Sequence, residues 1–461
     1  MSGMPEVNHN HKRENLDDMK VAILGGGVSG TSLALLASRL GADVLLSDSA
    51  AISDSLAGRL HGAGIAYEER GHTEKVSAAD LVVVGSGFPP KAPVLAEVEQ
   101  RGVPVLGELD FVLPRLDGRV IGITGSNGKT TTTSLAGYLF SSLGLRTAVA
   151  GNIGTPVADY AGKGETYDCI VVELSSFQLH WAKRISLDGA VVTNLAPDHI
   201  DWHGSYDNYV RAKARILDFV KGTGFAIVQE RDLSVLQPSG DNIYSLSWDS
   251  ERGERKIVLD SRTRTAFLGD RLLLAFEDSG LLGSHNMENA AMALAALFLS
   301  GQDGETARSH LVGYVAPPHR CALVLEKGGV RYVDDSKGTN IAATVTALSA
   351  IEGEKLIILG GKGKGEDYST LVEPLKAFAS YAILIGEEST AIAKALEAGG
   401  FASYSAVADM EAAVRLAAAR AKAGDVVLLS PACTSWDMYK NYGERGDHFA
   451  SLVERLVGGK F

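Results

Sequence analysis

Short apolar, β-branched runs alternate with stretches of helical period in three blocks along the chain. The first block opens with "KVAILGGGVSGTSLALLASRLGADVLLSD" and continues through "ADLVVVGSGFPP" to Leu113. The second opens with "GRVIGITGSNGKTT". It runs through "YDCIVVEL", "LDGAVVTNL" and the helical stretch "NYVRAKARILDFV" to "NMENAAMALAALFLS". The third follows "YVAPPHR", whose paired prolines suit an interdomain linker. It holds "VRYVDDS", "EKLIILGG", "YAILIG" and "DVVLLSPA" with helical stretches between. Strand and helix alternating in this way predict parallel α/β units. The expected architecture is α/β in three domains: a Rossmann-like domain over 20–114, a central phosphate-loop domain with a mostly parallel sheet over 115–316, and a Rossmann-like domain over 317–461. Residues 1–19 are polar and are expected to form a disordered tail.

A length of 461 residues exceeds what one core supports, in line with several domains. The formal charge of −12 argues against a nucleic-acid or membrane-surface binder. Cys169, Cys321 and Cys433 lie far apart without a C-x-x-C pair, so neither a disulfide framework nor a zinc site is expected, and a reducing cytoplasm is. The N-terminal stretch has no apolar signal region, and no apolar run reaches the roughly 18 residues a membrane helix needs.

Gly25, Gly27 and Gly30 fit G-x-G-x-x-G between a strand and a helix, with Asp48 ending the next strand. Such a turn brings backbone close to a pyrophosphate at a helix N-terminus. A dinucleotide-dependent dehydrogenase, a binder of any nucleoside diphosphate, and glycines that only let helix and strand pack all fit this motif. "GSGFPP" adds a second glycine turn at the same sheet edge.

The second glycine loop, "TGSNGKTT", misses G-x-x-x-x-G-K-[ST] by one position: Ile123 stands where the first glycine belongs, between Gly122 and Gly125. Gly125 to Gly128 can still wrap N–H groups around phosphate oxygens, with Lys129 reaching the phosphates and the Thr130 hydroxyl facing Mg²⁺. A plain turn with a surface lysine is the bland alternative. Glu173 closes the apolar strand in "YDCIVVEL", where open α/β sheets place their sites. It reads as a Mg²⁺ ligand or as a helix N-terminal carboxylate. "TNLAPDHIDWHGS" crowds Asn194, Asp198, His199, Asp201 and His203 into one loop after a strand. Lys213 shares the apolar helix face of Tyr209, Ile216, Leu217 and Val220. It either snorkels to water or is aimed into a polar cleft. As an ammonium it would repel Mg²⁺, so the second case needs its charge neutralised or its chemistry changed.

These motifs, with "GNIG", "ELSSFQL", "DHIDWH", "GSHNMENAAMA", "PPHR", "DDSKGTN", "GGKGKG" and "LLSPACTSWDMYKNYGERGDHF", resemble the Mur ligases, ATP-dependent amide-bond ligases of peptidoglycan precursor synthesis. That family's shortened loop, T-G-[ST]-N-G-K-[ST], accounts for the displaced glycine. Within the family the resemblance is to the D-glutamate-adding members, because "SPACTSWD" matches their ending and the D-N-P-R motif of diaminopimelate-adding relatives is absent.

The resemblance implies ATP and two Mg²⁺ ions as cofactors. Its implied substrates are UDP-N-acetylmuramoyl-L-alanine, D-glutamate and ATP, with no nucleic-acid or membrane partner and a monomeric state. Lys129, His199 and Lys213 are the implied catalytic residues. Gly125, Ser126, Asn127, Gly128, Lys129, Thr130, Thr131, Asn286, Asn289, Arg320, Asp335 and Lys337 match ATP-site or domain-linking positions. Val28, Ser29, Asp48, Ser86 and Gly87 match positions near the UDP group, and Asn152 and His199 match positions that meet the muramoyl part. Thr339, Lys364, Ser435 and Tyr442 match the amino-acid pocket. Thr130 and Glu173 would hold one Mg²⁺, and His199 with Lys213 a second, Lys213 being carbamylated as the equivalent lysine is in the family. Two departures stand out: "DDSK" where "NDSK" is frequent, and Tyr442 where phenylalanine is common.

The implied chemistry is transfer of the ATP γ-phosphoryl to a terminal carboxylate, then attack of an amine on the acyl phosphate. Closure of three domains, one per substrate, would complete the site. A folylpolyglutamate-type ligase fits less well, since those relatives begin directly with the ATPase domain. An oxidoreductase built on Gly25–Gly30 leaves the second loop unexplained. A non-catalytic nucleotide switch is the reading from another class.

Overall fold

The computed structural model describes residues 15–276, 283–363 and 365–459. Three separate sheets give a three-domain α/β architecture. In the first, β1 (Lys20–Leu24), β2 (Asp43–Ser47), β3 (Ala66–Glu68), β4 (Leu81–Val84) and β5 (Val105–Gly107) are all parallel, in the order β3-β2-β1-β4-β5. The two central strands are almost wholly buried because helices cover both faces, hence their unbroken apolar runs.

The second sheet contains β6 (Asp117–Thr124), β7 (Thr147–Gly151), β8 (Thr166–Glu173), β9 (Leu187–Val192), β10 (Val220–Gln229), β11 (Ile243–Trp248), β12 (Lys256–Asp260), β13 (Thr265–Leu268) and β14 (Arg271–Ala275). Its order is β14-β13-β12-β11-β10-β9-β6-β8-β7. From β7 to β12 the pairs are parallel, and β12 to β14 form an antiparallel meander at one edge. The block pattern of the sequence does not announce that meander, because its short strands are joined by turns without intervening helices.

One apolar cluster runs from Leu33 and Leu36 through Leu109, Phe111 and Val112 to Ile170, Val172 and Leu187. The first two sheets therefore share a core. They form one compact unit, 1–275 with 290–312, of which the described part begins at residue 15.

The third sheet forms the other unit, 276–289 with 313–461. It orders β15 (Ala322–Lys327), β16 (Val330–Asp334), β17 (Lys355–Gly360), β18 (Ala379–Ile385), β19 (Tyr404–Ala406) and β20 (Val426–Leu429) as β15-β16-β20-β17-β18-β19. Only β15 is antiparallel. Separate apolar clusters cover its two faces.

One boundary differs from the sequence reading. The lysine-bearing helix spans Tyr206–Asp218, so Val220 opens β10 rather than sharing the face of Lys213. All three cysteines are free and buried. Burial pushes the Cys169 and Cys433 thiols up to about 12, and the Cys321 thiol well above its usual value. Among the described residues no helix is long and apolar enough to cross a membrane.

Candidate active site

The phosphate-loop candidate sits where β6 ends. Gly125 takes φ +145, and a Cβ there would lie 1.9 Å from the Thr193 hydroxyl, so only glycine fits. Gly128 takes φ +79 and caps the helix Lys129–Ser142. The loop is fastened from the neighbouring strand end. Ser126 N–H donates to Asn194 O at 2.8 Å, and Asn127 N–H donates to the Asn194 side-chain oxygen at 2.9 Å. The Ser126 hydroxyl donates to Ala196 O at 2.8 Å and stands 2.8 Å from the Tyr209 hydroxyl. Asn194 is therefore a buttress of the phosphate loop. Lys129 Nζ folds back onto the loop, donating to Gly125 O at 2.9 Å and Ser126 O at 2.8 Å.

Glu173 is the last residue of β8 and is only 1% exposed. Its Oε1 accepts from Asn152 Nδ2 at 3.1 Å, while Oε2 is buried with no hydrogen-bond partner. A buried carboxylate oxygen without a donor carries an unmet desolvation cost and suits a cation. Among the described residues no three His, Cys, Asp or Glu side chains stand together as a metal cage. A cation at Glu173 would draw its other ligands from substrate oxygens, the usual arrangement for Mg²⁺ at phosphate sites.

Lys213 is 2% exposed, and its Nζ donates to Gly125 O at 2.6 Å, with Thr124 Oγ1 at 3.4 Å and the Tyr209 ring centre at 4.9 Å. Burial, and then the charge of Lys129, push its ammonium well below the usual lysine range, against the opposing pull of Asp198 and Glu173. The lysine does not snorkel. His199 holds a left-handed φ of +52, its N–H donating to Asp198 Oδ1 at 3.0 Å and its ring edge-on to Phe177 at 4.7 Å. His203 is buried and bonded to Ser176 Oγ at 3.0 Å, a structural role. The Asp201 side chain lies outside the described residues.

The first glycine turn lies at the carboxyl end of β1. A Cβ on Gly30 would come within 1.7 Å of Gly25 O, so this glycine lets the helix Val28–Arg39 close on the turn. Asp48 spends both oxygens on backbone N–H groups, those of Gly26 and Ala50. Val28 is 56% exposed. The Ser29 hydroxyl donates to Glu108 Oε1 at 3.1 Å, and Ser86 donates to the same carboxylate from both its N–H and its side chain. Gln178 Nε2 adds a bond to Glu108 Oε2 at 3.2 Å. Glu108 is buried, and burial raises its pKa in spite of these donors. It links both serine candidates to the loop after Glu173, and no sequence motif marks it.

A second group gathers in the other unit. Asp335 Oδ2 accepts from Ser430 Oγ at 2.7 Å, and burial pushes its carboxyl up to about 7. Lys337 Nζ lies 4.1 Å from the centre of the Tyr442 ring, and Thr339 N–H donates to Lys337 O at 2.7 Å. Arg445 is fully buried beneath them. Its guanidinium donates to the Ser336 hydroxyl and carbonyl and to the carbonyls of Cys433 and Thr434, next to the buried Ser435. Asp334 of "DDSK" accepts from His319 Nδ1 at 2.6 Å, giving the changed residue a definite partner. On the helix Ser284–Leu299, Asn289 Nδ2 donates to Asn286 Oδ1 at 3.1 Å, and both side chains are buried. Lys364 lies outside the described residues.

Comparison with known proteins points to one family. The MurD N-terminal domain matches residues 20–94, the Mur ligase middle domain 123–297, and the Mur ligase glutamate ligase domain 319–433. The UDP-N-acetylmuramoylalanine–D-glutamate ligase of Acidobacterium capsulatum is 38% identical over 460 residues, 95% of this chain and 96% of that protein. The ligase of the same name from Natranaerobius thermophilus is 35% identical over 458 residues, 96% of this chain and 99% of that protein. The crystal structure of UDP-N-acetylmuramate-alanine ligase MurC from Thermotoga maritima superposes with a TM-score of 0.59 at 19% identity, covering 96% of this chain and 100% of that one. That last likeness concerns the fold.

Proposed function

The chain belongs to the Mur ligase family, and we propose that it joins D-glutamate to UDP-N-acetylmuramoyl-L-alanine, driven by ATP, in peptidoglycan precursor synthesis. Support for the substrates comes from the full-length relatives that carry this activity in their names and from the MurD-type N-terminal domain. The observation that carries the chemistry is the convergence of Lys129 and Lys213 on the phosphate loop, with the orphaned Oε2 of Glu173 at the neighbouring strand end.

A carboxylate acylates poorly because oxide is not a leaving group. In the proposed reaction an alanyl carboxylate oxygen attacks the γ-phosphorus of ATP, the β–γ P–O bond breaks, and ADP departs. The D-glutamate amine then attacks the carbonyl carbon of the acyl phosphate, loses a proton, and inorganic phosphate leaves. Lys129 swings from its own loop carbonyls to the phosphates and offsets charge as carboxylate and triphosphate approach. Ser126, Asn127, Gly128, Thr130 and Thr131 supply donors around the phosphates. Asn152 orients Glu173, and His199 faces the muramoyl end.

Glu173 and Thr130 would hold one Mg²⁺, and His199 with a carbamylated Lys213 a second, each neutralising phosphate charge. An uncharged Lys213 amine can attack carbon dioxide, forming an N–C bond and releasing a proton. The product is an anionic, two-oxygen ligand that removes the conflict between an ammonium and a cation. Asn286, Asn289, Arg320, Asp335 and Lys337 are assigned to ATP, and Thr339, Lys364, Ser435 and Tyr442 to the amino acid. We assign Val28, Ser29, Asp48, Ser86 and Gly87 to the UDP group. The proposal includes domain limits of 20–114, 115–316 and 317–461, a monomeric state and a cytoplasmic location.

The test is phosphate release with ATP and UDP-N-acetylmuramoyl-L-alanine across a panel of D- and L-amino acids. Release that requires both the UDP-linked acceptor and D-glutamate is expected. Release that needs neither, or that follows another amino acid, overturns the assignment.

A further inference from the structure

Two indoles reach the glycine turn at 85–88 from loops of the second sheet. Trp202 Nε1 donates to Gly87 O at 3.3 Å, and Trp181 Nε1 donates to Phe88 O at 3.1 Å. Gly87 holds φ +83, and Phe88 N–H closes the turn on Gly85 O at 3.3 Å. Indole has one donor and no acceptor, so each ring serves its carbonyl and packs its body elsewhere. Trp202 is wedged among Phe177 at 4.9 Å, His180 at 5.0 Å and His203 at 4.5 Å between ring centres. Trp181 backs onto Gly107, where a Cβ would approach its own Cβ to 2.8 Å, beside Glu108.

The origins of the two rings matter. Trp181 ends the helix Ser176–Trp181 that follows Glu173, and Trp202 lies in the helix Ile200–His203 that follows His199. The segments that follow Glu173 and His199 therefore each send one donor to the turn that carries Ser86 and Gly87. We propose that Trp181 and Trp202 form a clasp that fixes the nucleotide-sugar turn against the Glu173 and His199 loops, making both indoles positioning residues for the UDP-linked substrate. The clasp rests on the assignment of that turn to the UDP group. Through it, occupancy of the turn tightens the two loops, and loosening either indole frees the turn.

Trp181→Phe, Trp202→Phe and the double variant keep a ring and remove the N–H. With the full chain, each single variant is expected to raise KM for UDP-N-acetylmuramoyl-L-alanine by about three- to tenfold, the range one neutral hydrogen bond commands. KM for ATP is expected to stay within about twofold, since a local change spares a site it does not touch. Amide hydrogen exchange over 85–90 is expected to quicken in the free variants. Binding of the UDP-linked substrate is expected to protect 196–204 in the wild type and to lose that effect in the variants. Unchanged exchange over 85–90, unchanged KM for the UDP-linked substrate, or equal rises in both KM values overturn the clasp. If Trp181→Phe does not fold, Trp202→Phe carries the same readouts, because that ring donates to the same turn from a separate helix. A wild-type protein that neither binds nor turns over UDP-N-acetylmuramoyl-L-alanine overturns the ligase reading itself. Binding by the wild type and equal binding by the variants overturns the clasp alone.

Discussion

Lys129 and Lys213 donate to one oxygen, the carbonyl of Gly125, at 2.9 and 2.6 Å. Two ammonium groups on one acceptor repel strongly where water is scarce. Lys213 is the deeper of the two, and its ammonium is the one that burial and the Lys129 charge disfavour. The pair thus differs in setting: two lysines meet on one carbonyl, and Lys213 is the one whose charged form burial disfavours.

Lys213→Ala is expected to be nearly inactive. A short carboxylic acid added to the variant is expected to restore part of the rate by taking the carbamate's place, and bicarbonate is not. The check is steady-state phosphate release with each additive. Near-normal activity of the variant in carbon-dioxide-free buffer refutes the assignment.

Lys129→Ala removes a contact that strengthens as the γ-phosphoryl moves. We expect kcat to fall more than tenfold, a loss of at least about 1.4 kcal/mol in the transition state. The far-UV circular dichroism spectrum is expected to stay unchanged. A variant retaining over a tenth of the wild-type kcat contradicts the phosphate-loop role.

Glu108→Ala leaves the donors of Ser29, Ser86 and Gln178 facing a void. A buried donor without an acceptor costs about 1–3 kcal/mol, so urea unfolding is expected to show a loss of about that size. Glu108→Gln is expected to lose less, because hydroxyls can rotate to accept from an amide.

Asp335 gives a pH signature. Its folded carboxyl is raised from 3.8 to about 7, mainly by burial, with Asp334 adding to the rise and Arg320 and Ser430 opposing it. A raised folded pKa stabilises below the unfolded value and is lost as pH climbs through the folded one. Melting temperature measured from pH 5 to 8 is therefore expected to fall for the wild type relative to Asp335→Asn. A constant gap across that window contradicts the assignment.

Arg445→Lys cannot replace five guanidinium N–H groups with three ammonium donors. The loops at 335–337 and 433–435 are expected to loosen, raising KM for D-glutamate at least tenfold. KM for UDP-N-acetylmuramoyl-L-alanine is expected to stay unchanged. Parallel initial-rate titrations of the two substrates separate these outcomes.

The strand ends and their loops were legible in the sequence because they depend on local order: an apolar run, a glycine turn, a lysine at a helix start. Glu173 and Lys129 could be placed by that rule. The polarity of Lys213 stands out on an apolar helix face, though only the fold decides between snorkelling and burial. Glu108, Trp181, Trp202 and Arg445 were not legible. Each has a defining partner 70 to 115 residues away, namely Gln178, Phe88, Gly87 and Ser336, and no periodicity reports contacts at that range. Asn194 is legible only as one polar residue of a crowded loop, since an amide after a strand serves a ligand site and a backbone buttress equally well.

The three buried thiols have a practical consequence. With every cysteine enclosed and its thiolate disfavoured, maleimide reagents meet little competition from native sulfur. A single cysteine introduced on an exposed position, such as Glu74 beside the first sheet or Lys394 in the other unit, would accept a fluorophore at one known place. The native chain thus offers a nearly silent background for distance measurements during turnover.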